Sequence, residues 1–199
     1  MVLKIFKRKP RDPYLSQTIS TERFDLSLCS WPEAVQLTLP WANDPETLHA
    51  FRYSSTSYSR LLWALRMPIP NGRNFFVHAV REKSGNKVVG MHLMRLTPSG
   101  SLSLMMGLTD KSWEGKGVFE EVRSALFDHF SRSPKVVRFA GRVLARNTSS
   151  VYIYQKLGFR FVGYEKMTWR SPLTGELMDL FFFELLAEDW RDKRGLMPI

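Results

Sequence analysis

The segment WEGKGVF, residues 113–119, joins an apolar run to an amphipathic helix and does most to define the fold. Residues 101–109 before it are typical of a strand, and residues 116–130 after it repeat apolar side chains at helical spacing. Gly115 and Gly117 would let this strand-to-helix turn approach a ligand closely. Because the first amides of a helix lack partners and carry partial positive charge, the segment predicts a pyrophosphate site. A tight turn at a helix start would explain the glycines equally well.

A second segment, NTSSVYIYQKLGF at residues 147–159, predicts a short helix that ends at Gly158. Asn147 is a typical N-cap residue and could have that role alone. Tyr154 follows two helical turns later, so its side chain should project from about the same face as Asn147. The two side chains could therefore meet one ligand.

Outward from these segments, the sequence predicts one mixed α/β domain over residues 23–190. Residues 31–67 form an interrupted helical region, bounded by prolines and polar turns. Strand patterns are predicted at residues 23–29, 74–81, 87–96, 101–109, 136–145, 160–169 and 177–186. Turn residues make the second to fourth strands an antiparallel meander. We therefore expect a mostly antiparallel central sheet flanked by helices.

Composition narrows the class of protein. The chain has 199 residues, of which 44% are hydrophobic and 24% charged, which excludes a disordered, collagen-like or coiled-coil chain. A single cysteine, Cys29, excludes an intrachain disulfide framework and a cysteine-rich zinc site. No apolar run has the length of a membrane span, and no apolar core of an export signal follows the basic start. We expect a cytoplasmic protein without a metal.

The charge distribution favours anionic ligands. The formal net charge is +10, and residues 1–22 are predicted to be a basic arm that binds an anionic partner or is simply solvated. Residues 191–199 are predicted to be a polar tail. A nucleic acid, a phosphorylated cofactor and a membrane surface are all compatible with this charge, but no zinc-finger or helix-turn-helix pattern is present.

Taken together, EGKG at residues 114–117 and the segment 147–159 resemble the GNAT acyltransferase superfamily. The closing residues 185–190, LLAEDW, look like its ribosomal-protein N-terminal acetyltransferase branch. The resemblance is clear over residues 104–190 and weaker over residues 23–95. It implies that the fourth and fifth strands splay apart and that acetyl-CoA binds between them.

The resemblance also implies a set of site residues. Tyr154 would be the general acid that protonates the departing thiolate. The implied cofactor-binding residues are Leu108, Thr109, Glu114, Gly115, Lys116, Gly117, Val118, Phe119, Asn147, Ser150 and Tyr154. The main chain of residues 108–109 would bind the pantetheine arm, and that of residues 115–118 the pyrophosphate. Two positions depart from the family pattern, because Glu114 places a carboxylate beside an anionic cofactor and the ring of Phe119 replaces a small residue.

The general base is not evident from the sequence. Many relatives have a glutamate on the fourth strand where this chain has Leu104. His78 and His92 lie on central strands and titrate near neutrality, but structural histidines are as compatible with the pattern. Water-mediated loss of the proton would need no base, and we prefer it.

Other side chains of the predicted domain allow both a structural and a binding role. The tryptophans of the helical region could contact the acceptor or belong to the core: Trp31, Trp41 and Trp63. Met105 and Met106 could line an acetyl pocket or fill the core.

These features give two hypotheses of different class. The first is an acetyl-CoA-dependent N-acetyltransferase acting on a primary amine, either a protein N-terminus or a small molecule. The alternative is a non-catalytic GNAT-fold module that binds nucleic acid, the ribosome or an acidic protein through its basic surface. The sequence leaves open the acceptor, the length of the acyl chain and the oligomeric state, and a homodimer is compatible with it.

Overall fold

A computed structural model describes residues 11–199, so the first part of the predicted basic arm, residues 1–10, lies outside the described residues. The strands are β1 Ile19–Ser20, β2 Phe24–Leu28, β3 Phe75–Glu82, β4 Val88–Leu96, β5 Ser101–Leu108, β6 Arg138–Leu144, β7 Arg160–Arg170 and β8 Leu177–Leu186. The helices are α1 Trp31–Thr38, α2 Pro45–Ala50, α3 Arg60–Arg66, α4 Val118–Phe130, α5 Thr148–Lys156 and α6 Ala187–Arg194.

The strands form one sheet in the order β1-β2-β3-β4-β5-β6-β8-β7. Every neighbouring pair is antiparallel except β5 and β6, which are parallel. The predicted mixed α/β fold with a mostly antiparallel sheet is therefore confirmed.

The predicted splay lies between β5 and β6, the fourth and fifth long strands. They pair over three positions, from Ser101 opposite Arg138 to Ser103 opposite Ala140. Beyond Ser103 no further pairs form, although β5 continues to Leu108 and β6 to Leu144. The two strands therefore separate toward their carboxyl ends and leave a gap within the sheet.

Apolar side chains alternate between two cores, one on each face of the sheet. On β5, Leu104 and Met106 belong to the larger core, which includes the apolar stripe of α4 at Val118, Val122 and Leu126. Met105 packs against the smaller core, under the helical region α1–α3. The separated strands are thus covered by α4 on one face and by the helical region on the other.

At both ends, residues outside the predicted domain bounds of 23–190 pack against the domain. Leu15 and Ile19 are buried, and β1 pairs with β2, so the described part of the predicted arm packs against the larger core. At the other end, the predicted tail continues the last helix, in which Trp190 is buried, and the amide of Ile199 donates to the carbonyl of Arg132 at 3.0 Å. Parts of the predicted arm and of the predicted tail therefore make contacts with the domain. Within residues 11–199, no helix combines the length and the apolar character that crossing a bilayer requires.

Candidate functional site

A cavity of about 1030 Å³ occupies the gap between β5 and β6 and extends over the amino-terminal ends of α4 and α5. Nine of the eleven predicted cofactor-binding residues line it: Leu108, Glu114, Gly115, Gly117, Val118, Phe119, Asn147, Ser150 and Tyr154. Thr109 and Lys116 do not. The structure therefore brings the two segments singled out in the sequence, 113–119 and 147–159, to one space.

The glycine loop leaves the start of α4 open. Gly115 and Gly117 have φ values of 71° and 74°, in the left-handed region that favours glycine. Gly117 is the N-cap of α4 and has no side chain to cap it, so the amides of Val118 and Phe119 stay available to a ligand. This geometry suits an anion at the helix start.

A network of hydrogen bonds on the β1–β2 turn holds the glycine loop and α4 in place. The carboxylate of Glu121 accepts from Arg23 Nε at 2.6 Å, from Thr21 Oγ1 at 2.6 Å and from the amide of Arg23 at 3.0 Å. Arg23 Nη2 also donates to the carbonyl of Lys116 at 3.0 Å. Although burial raises the pKa of Glu121, the bonds from Thr21 and Arg23 outweigh it and lower that pKa.

The two residues that depart from the family pattern have different environments. Phe119 is half-buried, packs against the larger core and lies 5.7 Å from Arg123 Cζ, measured to its ring centroid. Glu114 is exposed, and its charge, after that of Asp44, contributes to a raised pKa of Lys111. The Phe119 ring therefore forms part of the cavity wall, and Glu114 lines the cavity as an exposed residue.

Main-chain groups of β5 face the gap at alternate residues. The amide of Thr109, just after β5, donates to the carbonyl of Val89 on β4 at 3.0 Å. The main-chain groups of Thr109 therefore point toward β4. Because successive main-chain groups of such a strand point to opposite sides, those of Met106 and Leu108 point toward the departed β6. The Leu108 carbonyl accepts from Trp41 Nε1 at 2.9 Å, so its amide is the group left for a ligand.

Asn147 acts first as the cap of α5. Its Oδ1 accepts from the amide of Ser150 at 3.0 Å, as expected for an N-cap, while the residue also lines the cavity. The side-chain amide nitrogen of Asn147 is left for a ligand. At the other end of this helix, Lys156 and Glu120 form an ion pair at 2.6 Å that joins α5 to α4.

Tyr154 is held from several sides. Its side chain is 2% exposed and stacks on Phe183, with ring centroids 5.2 Å apart and an interplanar angle of 11°. Phe159 contacts it edge-on at 4.9 Å between centroids. Arg123 Cζ lies 5.0 Å from the centroid of the phenol ring. The phenol therefore has a fixed position in the wall of the cavity.

His78 and His92 are not placed to act as bases in this cavity. They face each other across β3 and β4, are fully buried in the sheet and do not belong to the cavity wall. Burial, and then the nearby His129, lowers the pKa of His78 to about 3; burial, Arg123 and His78 lower that of His92. These neutral rings therefore belong to the core.

The three tryptophans of the helical region also have structural positions. The indole nitrogen of Trp31 donates to the carbonyl of Met67 at 2.9 Å, and that of Trp41 donates to the carbonyl of Leu108 at 2.9 Å. The indole nitrogen of Trp63 donates to Thr38 Oγ1 at 3.0 Å. None of the three belongs to the cavity wall. By contrast, Leu104, Met105 and Met106 do line the cavity, at the point where β5 leaves β6.

Among the wall residues that the sequence reasoning missed are Arg52 after α2 and Arg142 on β6. The one sequence signal for Arg142 was the alternation Gly141-Arg142-Val143, because in a strand beside the gap it places Arg142 on the face opposite its two neighbours. Among residues 11–199, no group of three or more histidine, cysteine, aspartate or glutamate side chains is arranged to hold a metal ion.

Comparison with known proteins places this geometry in context. The family model of the acetyltransferase (GNAT) domain matches residues 19–160. No curated protein matches the chain.

Several solved structures share the fold at low sequence identity. A GNAT-family acetyltransferase from Bacillus anthracis is 17% identical, with a TM-score of 0.70 over 86% of this chain and 99% of the other. The ribosomal L7/L12 α-N-protein acetyltransferase RimL, in complex with coenzyme A, is 16% identical, with a TM-score of 0.71 over 87% and 99%. The spermidine N-acetyltransferase from Vibrio cholerae, in complex with coenzyme A and spermine, is 12% identical, with a TM-score of 0.71 over 84% and 98%.

Proposed function

The chain belongs to the GNAT acetyltransferase family, and from that premise we propose that it transfers the acetyl group of acetyl-CoA to a primary amine. The observation that carries the proposal is the cavity, which unites the open start of α4, the unpaired edge of β5 and Tyr154. Each of these supplies one requirement of acyl transfer from a thioester.

The anionic end of the cofactor would bind at the glycine loop. The amides of Val118 and Phe119, with those of Gly115 and Gly117, would form a cradle for the pyrophosphate, whereas the amide of Lys116 donates to the carbonyl of Trp113. The main-chain groups of Met106 and Leu108 would hold the pantetheine arm in the gap, as an added strand would be held. A cofactor bound in this way would present its thioester to Tyr154.

The same strand would stabilise the charge that develops in the reaction. When the amine attacks, the thioester carbonyl oxygen becomes an oxyanion, and backbone amides aimed at it lower the barrier. The amide of Met106 lies at the point where β5 separates from β6 and faces the gap. We assign the oxyanion contact to the β5 main chain near Met106 and Leu108.

Tyr154 would act as the general acid. A carbon–nitrogen bond forms between the amine and the acetyl carbonyl carbon, the carbon–sulfur bond breaks, and the sulfur leaves with the electron pair. The phenol of Tyr154 gives its proton to that thiolate and later recovers one from water. The fixed position of the ring keeps the hydroxyl in the wall of the cavity.

The amine must lose a proton, and the placement of the histidines favours loss to water. An α-amine, with an ordinary pKa near 8, has a usable neutral fraction near neutral pH, whereas a lysine amine, with a pKa near 10.4, is almost entirely protonated. We therefore favour an α-amine or a small-molecule amine as the acceptor. We also favour a cytoplasmic location, because both the use of acetyl-CoA and the free thiol of Cys29 are compatible with that compartment.

The test combines binding with turnover in the full chain. Calorimetry with acetyl-CoA should give saturable heat, and a thiol-release assay should detect coenzyme A only when an amine is present. Mass spectrometry should then find the amine heavier by one acetyl group. Absence of heat at millimolar acetyl-CoA would refute the proposal of an acetyl-CoA-dependent enzyme. Salt-sensitive RNA binding without thioester consumption would favour the non-catalytic module. Succinyl-CoA and long-chain thioesters, run in parallel, identify the donor.

A further inference from the structure

Guanidinium groups without partners are concentrated in the cavity wall. Arg123 is 4% exposed, and its Nε and Nη1 are buried and make no hydrogen bond. Nη1 of Arg52 is likewise buried without a hydrogen bond. Arg142, an exposed residue, lines the same cavity. Buried charges without partners are costly, so the unpaired nitrogens of Arg52 and Arg123 indicate that an anion completes the site.

The three arginines lie on two sides of the gap. Along β6, Gly141 and Val143 face the larger core with Tyr154, so Arg142 faces the opposite side, that of the helical region. Arg52 follows α2 and lines the cavity from the helical region. Arg123 lies on the other side, next to Tyr154. Arg52 and Arg142 therefore border the space that an acceptor would enter, across the gap from the cofactor loop.

Arg52 has two further signs of an unusual environment. Its φ is 60°, in a region that a residue with a bulky side chain seldom adopts. Burial, and then repulsion from Arg142, lowers the pKa of the Arg52 guanidinium, while Tyr154 opposes the effect. Both cations line the cavity that the proposed acid also lines.

The carboxylates of the cavity wall do not neutralise this pair. Glu120 is paired with Lys156 at 2.6 Å, and Glu46, at the rim, lies 3.7 Å from Lys111. Glu114 is exposed on the glycine loop. The inner part of the cavity is therefore positive on the acceptor side.

We propose that the acceptor amine carries a carboxylate close to the reacting nitrogen, and that Arg52 and Arg142 bind this carboxylate. The inference rests on the proposed function and names its substrate class. A free amino acid would offer its α-carboxylate, and a peptide with an acidic residue at its N-terminus would offer a side-chain carboxylate. In both, the guanidinium groups bind the carboxylate while the amine faces the thioester.

The chemistry of the pair supports this choice. Guanidinium groups bind carboxylates with two parallel hydrogen bonds, which orients the bound molecule as well as holding it. The same charges repel a polycation such as spermidine, so they also discriminate against that class of acceptor. Arg123 lies on the cofactor side, and we assign it no contact with the acceptor.

The experiment compares matched acceptors at saturating acetyl-CoA. One arm uses free aspartate and glutamate against their α-amides. The other uses peptides that begin with aspartate or glutamate against peptides that begin with asparagine or glutamine. Spermidine is the cationic reference. We expect kcat/KM to be tenfold to a hundredfold higher for the carboxylate in one arm, and that arm identifies which carboxylate is bound.

Variants connect the preference to the two arginines. Arg52→Gln and Arg142→Gln should raise the KM of the acidic acceptor and reduce its advantage to near unity, with the KM of acetyl-CoA unchanged. Arg142→Lys should restore part of the advantage, because it keeps the charge but loses the planar fork. Arg170→Gln, an exposed arginine of β7, is the control. Thermal unfolding confirms that each variant is folded.

The outcomes separate the inference from the function on which it rests. Equal or better turnover of neutral amines or spermidine by the native chain would overturn the inference and leave the acetyltransferase standing. So would an acidic preference that both glutamine variants retain. If no amine is acetylated, the proposed function fails; calorimetry of the same acceptor pairs with the coenzyme A-saturated protein then decides the inference, which equal affinities would refute.

Discussion

The phenol ring of Tyr154 lies against the main chain of Gly141. A methyl group at residue 141 would come within 2.5 Å of Tyr154 Cζ and 2.9 Å of its Oη. Strand β6 therefore positions the proposed acid, although Tyr154 belongs to α5. Glycine is required here for space, because any larger residue would occupy the position of the phenol.

Replacing Gly141 by alanine should move the phenol out of place. We expect Gly141→Ala to lower kcat at least tenfold and to reduce the free energy of unfolding by about 1–3 kcal/mol, the usual cost of overpacking. Thiol release and urea unfolding measure the two effects. Gly85→Ala is the matched control, since a methyl group there would meet only Glu82 Oε2, at 3.7 Å. Full activity of Gly141→Ala would show that the contact does not position the acid.

Removing only the hydroxyl of Tyr154 tests its proton directly. Tyr154→Phe keeps the stacking on Phe183 but has no proton to give, so kcat should fall about a hundredfold. The KM of acetyl-CoA should change little, because the loss is confined to the transition state. Tyr164→Phe, at an exposed tyrosine of β7, is the control. Equal losses in kcat and in cofactor affinity would contradict the acid role.

The sequence predicts the elements that local chemistry determines. The glycine loop, the Asn147 cap and the alternation of the strands all depend on residues close in the chain, and the structure has them at nearly the expected positions. The gap between β5 and β6 followed from the family resemblance and is confirmed.

What the sequence could not predict depends on contacts between distant residues. The contact of Gly141 with Tyr154 and the presence of Arg52 and Arg142 in one cavity wall arise only when β6, α5 and the helical region pack together. The indole N–H groups of the tryptophans need hydrogen-bond acceptors, and packing supplies these acceptors within the domain. Trp41 Nε1, for example, donates to the carbonyl of Leu108. Periodicity could not distinguish that outcome from a binding role.

The network of Glu121 should matter for stability and for the cofactor. Glu121→Ala removes the acceptor of three hydrogen bonds from Thr21 and Arg23, so the free energy of unfolding should fall by about 2 kcal/mol near neutral pH. Because the native pKa of Glu121 is lowered, this contribution is present above the unfolded pKa near 4.5 and is lost as the pH falls below it.

The same variant should raise the KM of acetyl-CoA, because α4 loses its anchor. Glu22→Ala, at an exposed residue of the same turn, is the control, and an unchanged stability of Glu121→Ala would refute the anchoring.

The buried pair of His78 and His92 should make the fold sensitive to acid. Burial lowers the native pKa of both, to about 3 for His78, whereas a histidine in the unfolded chain titrates near 6.5. Below that value the unfolded chain binds protons that the native protein does not, so the free energy of unfolding decreases as the pH falls from about 6.5 toward about 3. Each histidine can contribute up to about 1.4 kcal/mol per pH unit.

Urea unfolding between neutral pH and about pH 4.5 should show a shallower pH dependence for His78→Leu and for His92→Leu, and the shallowest for the double variant. His49→Gln, half-buried against Trp169, is the control. A double variant with the slope of the native chain would mean that other groups carry the acid sensitivity, because substitutions at these two positions remove both rings that must stay neutral in the fold.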